Sequence, residues 1–199
     1  MAQNIIDIGT LIGRAVLSVQ TANKLGQVHD LVIDPLQGGL AGLSIKRPDE
    51  SCALVEYAEI HGIGDDAVMI ERDDSLLPAE QSPVKDLPLA KNEMIGVKVI
   101  TERGQLIGTI ADLYVHLLDK PVFVFEVRSS IFDKLLGHSF YFPASLVRAL
   151  SEDRRSLVIS DETDKMDHRL DAVAKRLSAA YDFIPSGPGI PQVTVRSHS

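Results

Sequence analysis

Two stretches of this chain carry nearly the same pattern. "GRAVLSVQTANKLGQVHDLVID" (13–34) lies over "GVKVITERGQLIGTIADLYVH" (96–116). Gly13 and Gly96, like Val16 and Val99, stand 83 positions apart. One residue drops out in the intervening turn. Gly26 and Gly108, Val28 and Ile110, Asp30 and Asp112, Leu31 and Leu113 then stand 82 apart. The match continues more weakly, pairing "LAGLSIK" with "PVFVFEV" and "ALVEYAEIHGI" with "SFYFPASLVRAL". Each copy ends on a short apolar run, "AVMI" (67–70) or "SLVI" (156–159). A period of this kind means two similar supersecondary units rather than one large continuous architecture.

Each unit spans about 60 to 65 residues of short apolar runs separated by turn signals. Val, Ile, Leu and Phe dominate the runs, and neither unit holds a long segment of helical period. That pattern predicts small all-β units. Their edges must be paired, covered or closed, and closure into a barrel is the simplest solution at this size. The turn "TANKLG" places Ala22 or Asn23 at its tight position, where "ERGQLIG" has Gly104. After Asp30 both side-chain parities are apolar. Either the strand is buried on both faces, or a bulge near Asp30 exchanges the parity that faces inward; the bulge is preferred, because it also bends a strand around a small barrel. Asp112 occupies the same place in the second unit. Both acids are read as structural, each bonding local backbone amides. Gly26 and Gly108 are read as structural with them.

These residues resemble the PRC-barrel domain. The resemblance is carried by G-x-x-V, then G-x-x-[LI]-G-x-[VI]-x-D-L, a hairpin, and a short [EP]-[YA]-[AS] element before the last strand. It covers roughly 10–72 and 93–160. The family includes the cytoplasmic part of the photosynthetic reaction-centre H subunit and the C-terminal domain of a ribosome-maturation factor. The resemblance implies a mainly β fold: two small, antiparallel PRC-like β-barrels in tandem, plus a C-terminal amphipathic helix, with no catalytic centre. Neither named role transfers directly. The H subunit carries an N-terminal membrane helix, and here no run approaches the roughly 18 apolar residues of a span. The maturation factor has a different β-barrel ahead of a single PRC unit. Glu56 stands where the second copy has Pro143, so the copies are expected to do different work.

The expected organisation is a first barrel over 1–72, a linker over 73–92 and a second barrel over 93–160. A helix over 161–183 and a mobile tail over 184–199 follow. Pro78, Pro83 and Pro88 mark the linker. Met166, Leu170, Val173, Ala174, Leu177 and Tyr181 fall on one helical face, directed either at the chain's own barrel or at a partner.

Chemistry is hard to find. The single cysteine, Cys52, forms no intramolecular disulfide and is expected to be a packed thiol in a strand. Six histidines (His29, His61, His116, His138, His168 and His198) show no ligand spacing. No nucleophile elbow or phosphate loop is present. No catalytic, cofactor-binding or metal residue is expected. The formal net charge of −8 and the interleaving of Arg148, Arg154 and Arg155 with acids argue against nucleic acid as a ligand. The N-terminus does not read as a signal peptide, and a cytoplasmic protein is expected.

One segment departs from the repeat. "RSSIFDKLLGH" (128–138) replaces the polar "KRPDES" of the first unit. Ile131, Phe132, Leu135 and Leu136 stand in what should be a polar hairpin connection, which marks either a contact surface or a flap over the barrel's own end. The leading functional reading is a non-enzymatic adaptor that binds a protein partner or self-associates there, with Phe132 as the anchor. The alternative is a soluble relative of the reaction-centre H subunit, docking peripherally on a membrane electron-transfer complex and tuning its proton supply.

Overall fold

The computed structural model describes residues 5–117, 120–129 and 139–181. The chain opens with β1 (Ile5–Asp7) and a single helical turn, α1 (Ile8–Leu11). The first unit follows as β2 (Ala15–Ser18), β3 (Lys24–Asp34), β4 (Gly39–Lys46), β5 (Cys52–Glu56), β6 (Ile60–Ile63), β7 (Ala67–Ile70) and the short β8 (Leu77–Pro78). The second unit is β9 (Lys98–Thr101), β10 (Leu106–His116), β11 (Val122–Ser129), β12 (Ser139–Pro143), β13 (Val147–Leu150) and β14 (Ser156–Ile159). α2 (Leu170–Tyr181) closes the described chain.

The duplication is structural. β3 and β10 each hold 11 residues. The register of β3 on β4 shifts between Val28 and Asp30, and that of β10 on β11 between Ile110 and Asp112. These two bulges sit at the expected place. They bring Leu31 and Leu113 onto the inward parity, and both are fully buried. The tight turns match too: Ala22 (φ 59°) and Gly104 (φ 81°) take the left-handed conformation at equivalent places.

Closure differs from a simple antiparallel barrel. In each unit the last strand pairs in parallel with the first, β7 with β2 and β14 with β9. The corner from β5 to β6, or from β12 to β13, is turned by a 3-10 turn, Tyr57–Glu59 or Ala144–Leu146. Glu56 and Pro143 cap these turns at equivalent places. The strands on either side of the corner lie at opposite ends of the ladder, so the hydrogen-bonded path stays open. The two sides meet instead through packed side chains such as Val55, Ile60 and Val68 in the first unit, and Phe142, Leu146 and Leu157 in the second. Phe125 and Phe142 stack there at 5.1 Å between ring centroids.

Pairing also continues past the ends expected at 72 and 160. A 3-10 turn at Asp73–Ser75 leads into β8, which pairs with β5 (Ala53↔Pro78, Leu54↔Leu77). The second unit repeats this with a turn at Thr163–Lys165 and the bridge Tyr141↔Asp167. Residues 73–92, expected as a linker, therefore hold defined structure, with Leu76 and Ala90 buried in the core. The same bridge shortens the expected 161–183 helix. Asp167 uses its backbone N–H and C=O on Tyr141, so the helix begins only at Leu170. The tail lies outside the described residues.

Gly26 and Gly108 pack where no side chain fits. A Cβ at Gly26 would overlap the Lys46 carbonyl oxygen, and one at Gly108 the Arg128 carbonyl oxygen. The opposing atoms are backbone and cannot swing aside. We expect Gly26→Ala and Gly108→Ala each to lower unfolding free energy by about 1–3 kcal/mol, measured by urea denaturation. Gly62→Ala, which meets nothing within 4 Å, should change it far less.

Candidate functional site

The bulge carboxylate of Asp30 ties the first unit to the second. Asp30 is fully buried. One carboxylate oxygen accepts from Leu31 N at 2.7 Å and from Lys91 N at 2.9 Å, and the other accepts from Asn92 N at 3.0 Å. Lys91 and Asn92 belong to the π-helical turn Ala90–Met94 that leads into the second unit. A carboxylate of the first barrel thus caps the entry helix of the second. Three amide donors make its burial tolerable. Pro88 O also accepts from Ile33 N at 3.0 Å, and Val32 bridges to Leu89.

The reverse contact is made by β1, which pairs with β10 through Ile5↔His116, Ile6↔Val115 and Asp7↔Tyr114. Ile6 and Leu89 stand 83 positions apart. Each unit therefore lends the segment ahead of its first strand to the long strand of the other unit. The cap differs, however. Asp7 caps its own helix α1, accepting from Gly9 N at 2.6 Å, whereas the equivalent position in the second copy is Ala90. Asp30 supplies the missing carboxylate there.

Asp112 consequently has less to do. Among the described residues its carboxylate accepts from Leu113 N, at 2.8 Å. Burial pushes its carboxyl up from the ordinary range, and the nearby Asp7 and Glu126 push it the same way. Glu126 lies opposite Asp112 in the ladder, where the first unit has Ser44 opposite Asp30. It accepts from Tyr114 Oη at 3.0 Å and from Ser139 Oγ at 2.6 Å. Burial first, and then Glu126, raise the Tyr114 phenol well above its usual value; the Tyr141 phenol is raised also.

Tyr114, His116, Val122, Val124 and Glu126 share the outward parity of β10 and β11. Val122 and Val124 are nevertheless buried, as are Val173 and Ala174 of α2. They form a layer outside the main core, with α2 lying over β11 and β12. Asp167 pairs with Arg176 at 2.7 Å, and Phe140 packs on His168 at 4.3 Å between centroids. Of the two helix readings, packing on the chain's own barrel is the one seen.

Other candidates hold little chemistry. Cys52 is exposed rather than packed, because the inward parity of β5 belongs to Ala53 and Val55. His61 meets Glu71 at 3.0 Å beside a shallow hollow. A groove of about 360 Å³ between the units is lined by Leu36, Leu87, Pro88 and Leu150. Its Arg154 is held by Glu93 and by the Asp86 carbonyl. Among the described residues no cluster of His, Cys, Asp or Glu is arranged to hold a metal. No described helix is long and apolar enough to cross a membrane. Ile131, Phe132, Leu135 and Leu136 lie outside the described residues. The strands on either side of them are described, and pair out to Arg128↔Ser139. The exchange of segments was missed in the sequence. Its signal was the equivalence of Ile6 with Leu89 and of Asp7 with Ala90, upstream of the motif.

Residues 89–165 match the family model described as the PRC-barrel domain. The second unit is a PRC-barrel domain. The match begins at Leu89, where the chain crosses to the other unit, and ends inside the turn that precedes the Tyr141 bridge. The first unit shares its strand order, its bulge and its parallel closing pair. Among curated proteins no relative matches. One solved structure is that of a putative 16S ribosomal RNA processing protein, RimM, from Pseudomonas aeruginosa. It is 15% identical, with 80% of this chain and 99% of that chain covered, at a TM-score of 0.29.

The two bulge acids should respond oppositely to substitution. Asp30→Ala strands the amides of Lys91 and Asn92 and should cost about 3 kcal/mol or more. Asp112→Asn should raise stability at pH 7. A carboxyl whose folded pKa is raised favours the folded state only below its unfolded value, so the gain should vanish as pH falls to about 4. Denaturant titrations at both pH values check this.

Proposed function

We propose that this tandem PRC-barrel chain is a non-enzymatic adaptor that binds a protein partner or a second copy of itself through the 128–138 connection. One observation carries the reading. β11 and β12 remain paired to Arg128↔Ser139, so the chain carrying Ile131, Phe132, Leu135 and Leu136 departs from the end of a rigid hairpin. Four large apolar residues in such a connection suit a contact surface, and an aromatic among them suits an anchor. The stiff mounting supports the same reading. Asp30 and the exchanged segments tie the barrels together, and the second unit's outer face is already occupied by α2.

Phe132→Asp combined with Leu136→Asp should leave the thermal melt unchanged. It should abolish either self-association in sedimentation velocity or capture of the partner that wild type retains from native extracts. A melting temperature lowered by several degrees would place the segment in the core instead and remove the proposal. Co-sedimentation of the wild type with membranes, insensitive to the double substitution, would favour the alternative of docking on a membrane complex.

A further inference from the structure

His116 stands at the end of β10 beneath α2 and is 3% exposed. Its Nε2 lies 3.4 Å from Ser178 Oγ, and that hydroxyl donates to Ala174 O at 3.1 Å. With its proton so engaged, Ser178 can only accept from His116, which places the ring proton on Nε2. Nδ1 is then a bare acceptor, and among the described residues it is the buried side-chain nitrogen or oxygen without a partner. The pocket fits one protonation state. A second proton would put a charge and an unanswered donor into a layer made of Val122, Val124, Val173 and Ala174.

Among the described residues, the charged groups on the surrounding elements are engaged elsewhere. On α2, Asp171 is held by Arg169 and Lys175, and Arg176 is held by Asp167. On β10, Asp112 bonds Leu113 N and Tyr114 donates to Glu126 of β11. On β12, Tyr141 lies against Tyr114. On β1, Asp7 is engaged as the cap of α1. Burial lowers the basicity of the His116 ring.

We propose that His116 makes α2 an acid-released cover over the outer face of the PRC-barrel domain, latched while the ring is neutral and freed when it takes a proton. The helix is suited to the part. It holds 12 residues, too few for stability alone in water, and its purchase is the thin Val122–Val124–Val173–Ala174 layer with the Asp167–Arg176 pair. The sign is fixed by the lowered basicity of the covered ring: the covered state is fully favoured above the ordinary histidine value of about 6.5 and loses ground as pH falls below it. The uncovered fraction should rise up to about tenfold per pH unit until the covered ring itself titrates. Asp171 is held below the usual carboxylate range by Arg169, so it stays charged across that window.

The test is hydrogen exchange of the full chain between pH 8 and pH 5, corrected for intrinsic rates, read on the 170–181 segment. Protection there should fall with pH while β3 and β11 hold theirs. His116→Phe should remove the pH dependence, and Asp112→Asn and His168→Gln should keep it. Protection that is flat with pH in wild type overturns the proposal, as does an unchanged slope in His116→Phe. Should the phenylalanine variant not fold, the imidazole resonances of the wild type decide. A His116 ring titrating below the free-histidine value, in step with loss of α2 signals, supports the latch, and one titrating at or above that value overturns it.

Discussion

A single buried carboxylate organises the contact between the two halves. Asp30 could not remain at the centre of the molecule as a bare charge, since the loss of its hydration has to be offset by donors fixed in place. Its own bulge provides one and the entry turn of the second unit provides two. The bulge, which exists because both parities after Asp30 are apolar, therefore also fixes where the second barrel begins. Met94 and Val97 reach the shared core from that starting point. The crossing of β1 onto β10 mirrors it from the other side.

The duplication makes divergence easy to see. Ser44 of the first unit is matched by Glu126, and Gly42 by Val124, each 82 positions on. The first substitution adds an acid opposite Asp112, and the second adds apolar surface to an outward face. The Asp112 face is polar and under electrostatic tension, while the neighbouring valines require a lid. Both differences fall in the PRC-barrel domain and both adjoin the hairpin whose connection is unlike its counterpart. The first copy reads as the more structural of the two, and the second as the one whose outside has been reshaped.

Much of this was legible because the repeat acts as its own alignment. Two copies of one strand-turn-strand phrase placed the bulges at Asp30 and Asp112, and the left-handed residue at Ala22 or Asn23 in the first copy and at Gly104 in the second. Spacing alone also put Val173 and Ala174 on the packed face of α2. What escaped was non-local. Nothing in "IID" or "PLAKNE" says that each is exchanged, because the partner strand lies far away in sequence. The parallel closing pairs escaped for the same reason, since alternation of apolar residues does not reveal a neighbour's direction. Cys52 was misjudged by residue-type statistics, where strand parity was the better guide. The short strand at Leu77–Pro78 was hidden by the prolines that made its surroundings look like a spacer.

The parallel closing pairs bear on how the chain comes to its shape. In each half the first strand is left with a free edge until the last one is made, some fifty residues later. A ribosome delivering the protein must release nearly an entire half before that half can shut, which makes the long-range search the slow part of its assembly. The first half then still waits for 88–92 to emerge and occupy the Asp30 carboxylate. Vectorial synthesis thus imposes an order on the halves that their near-identical plans would not.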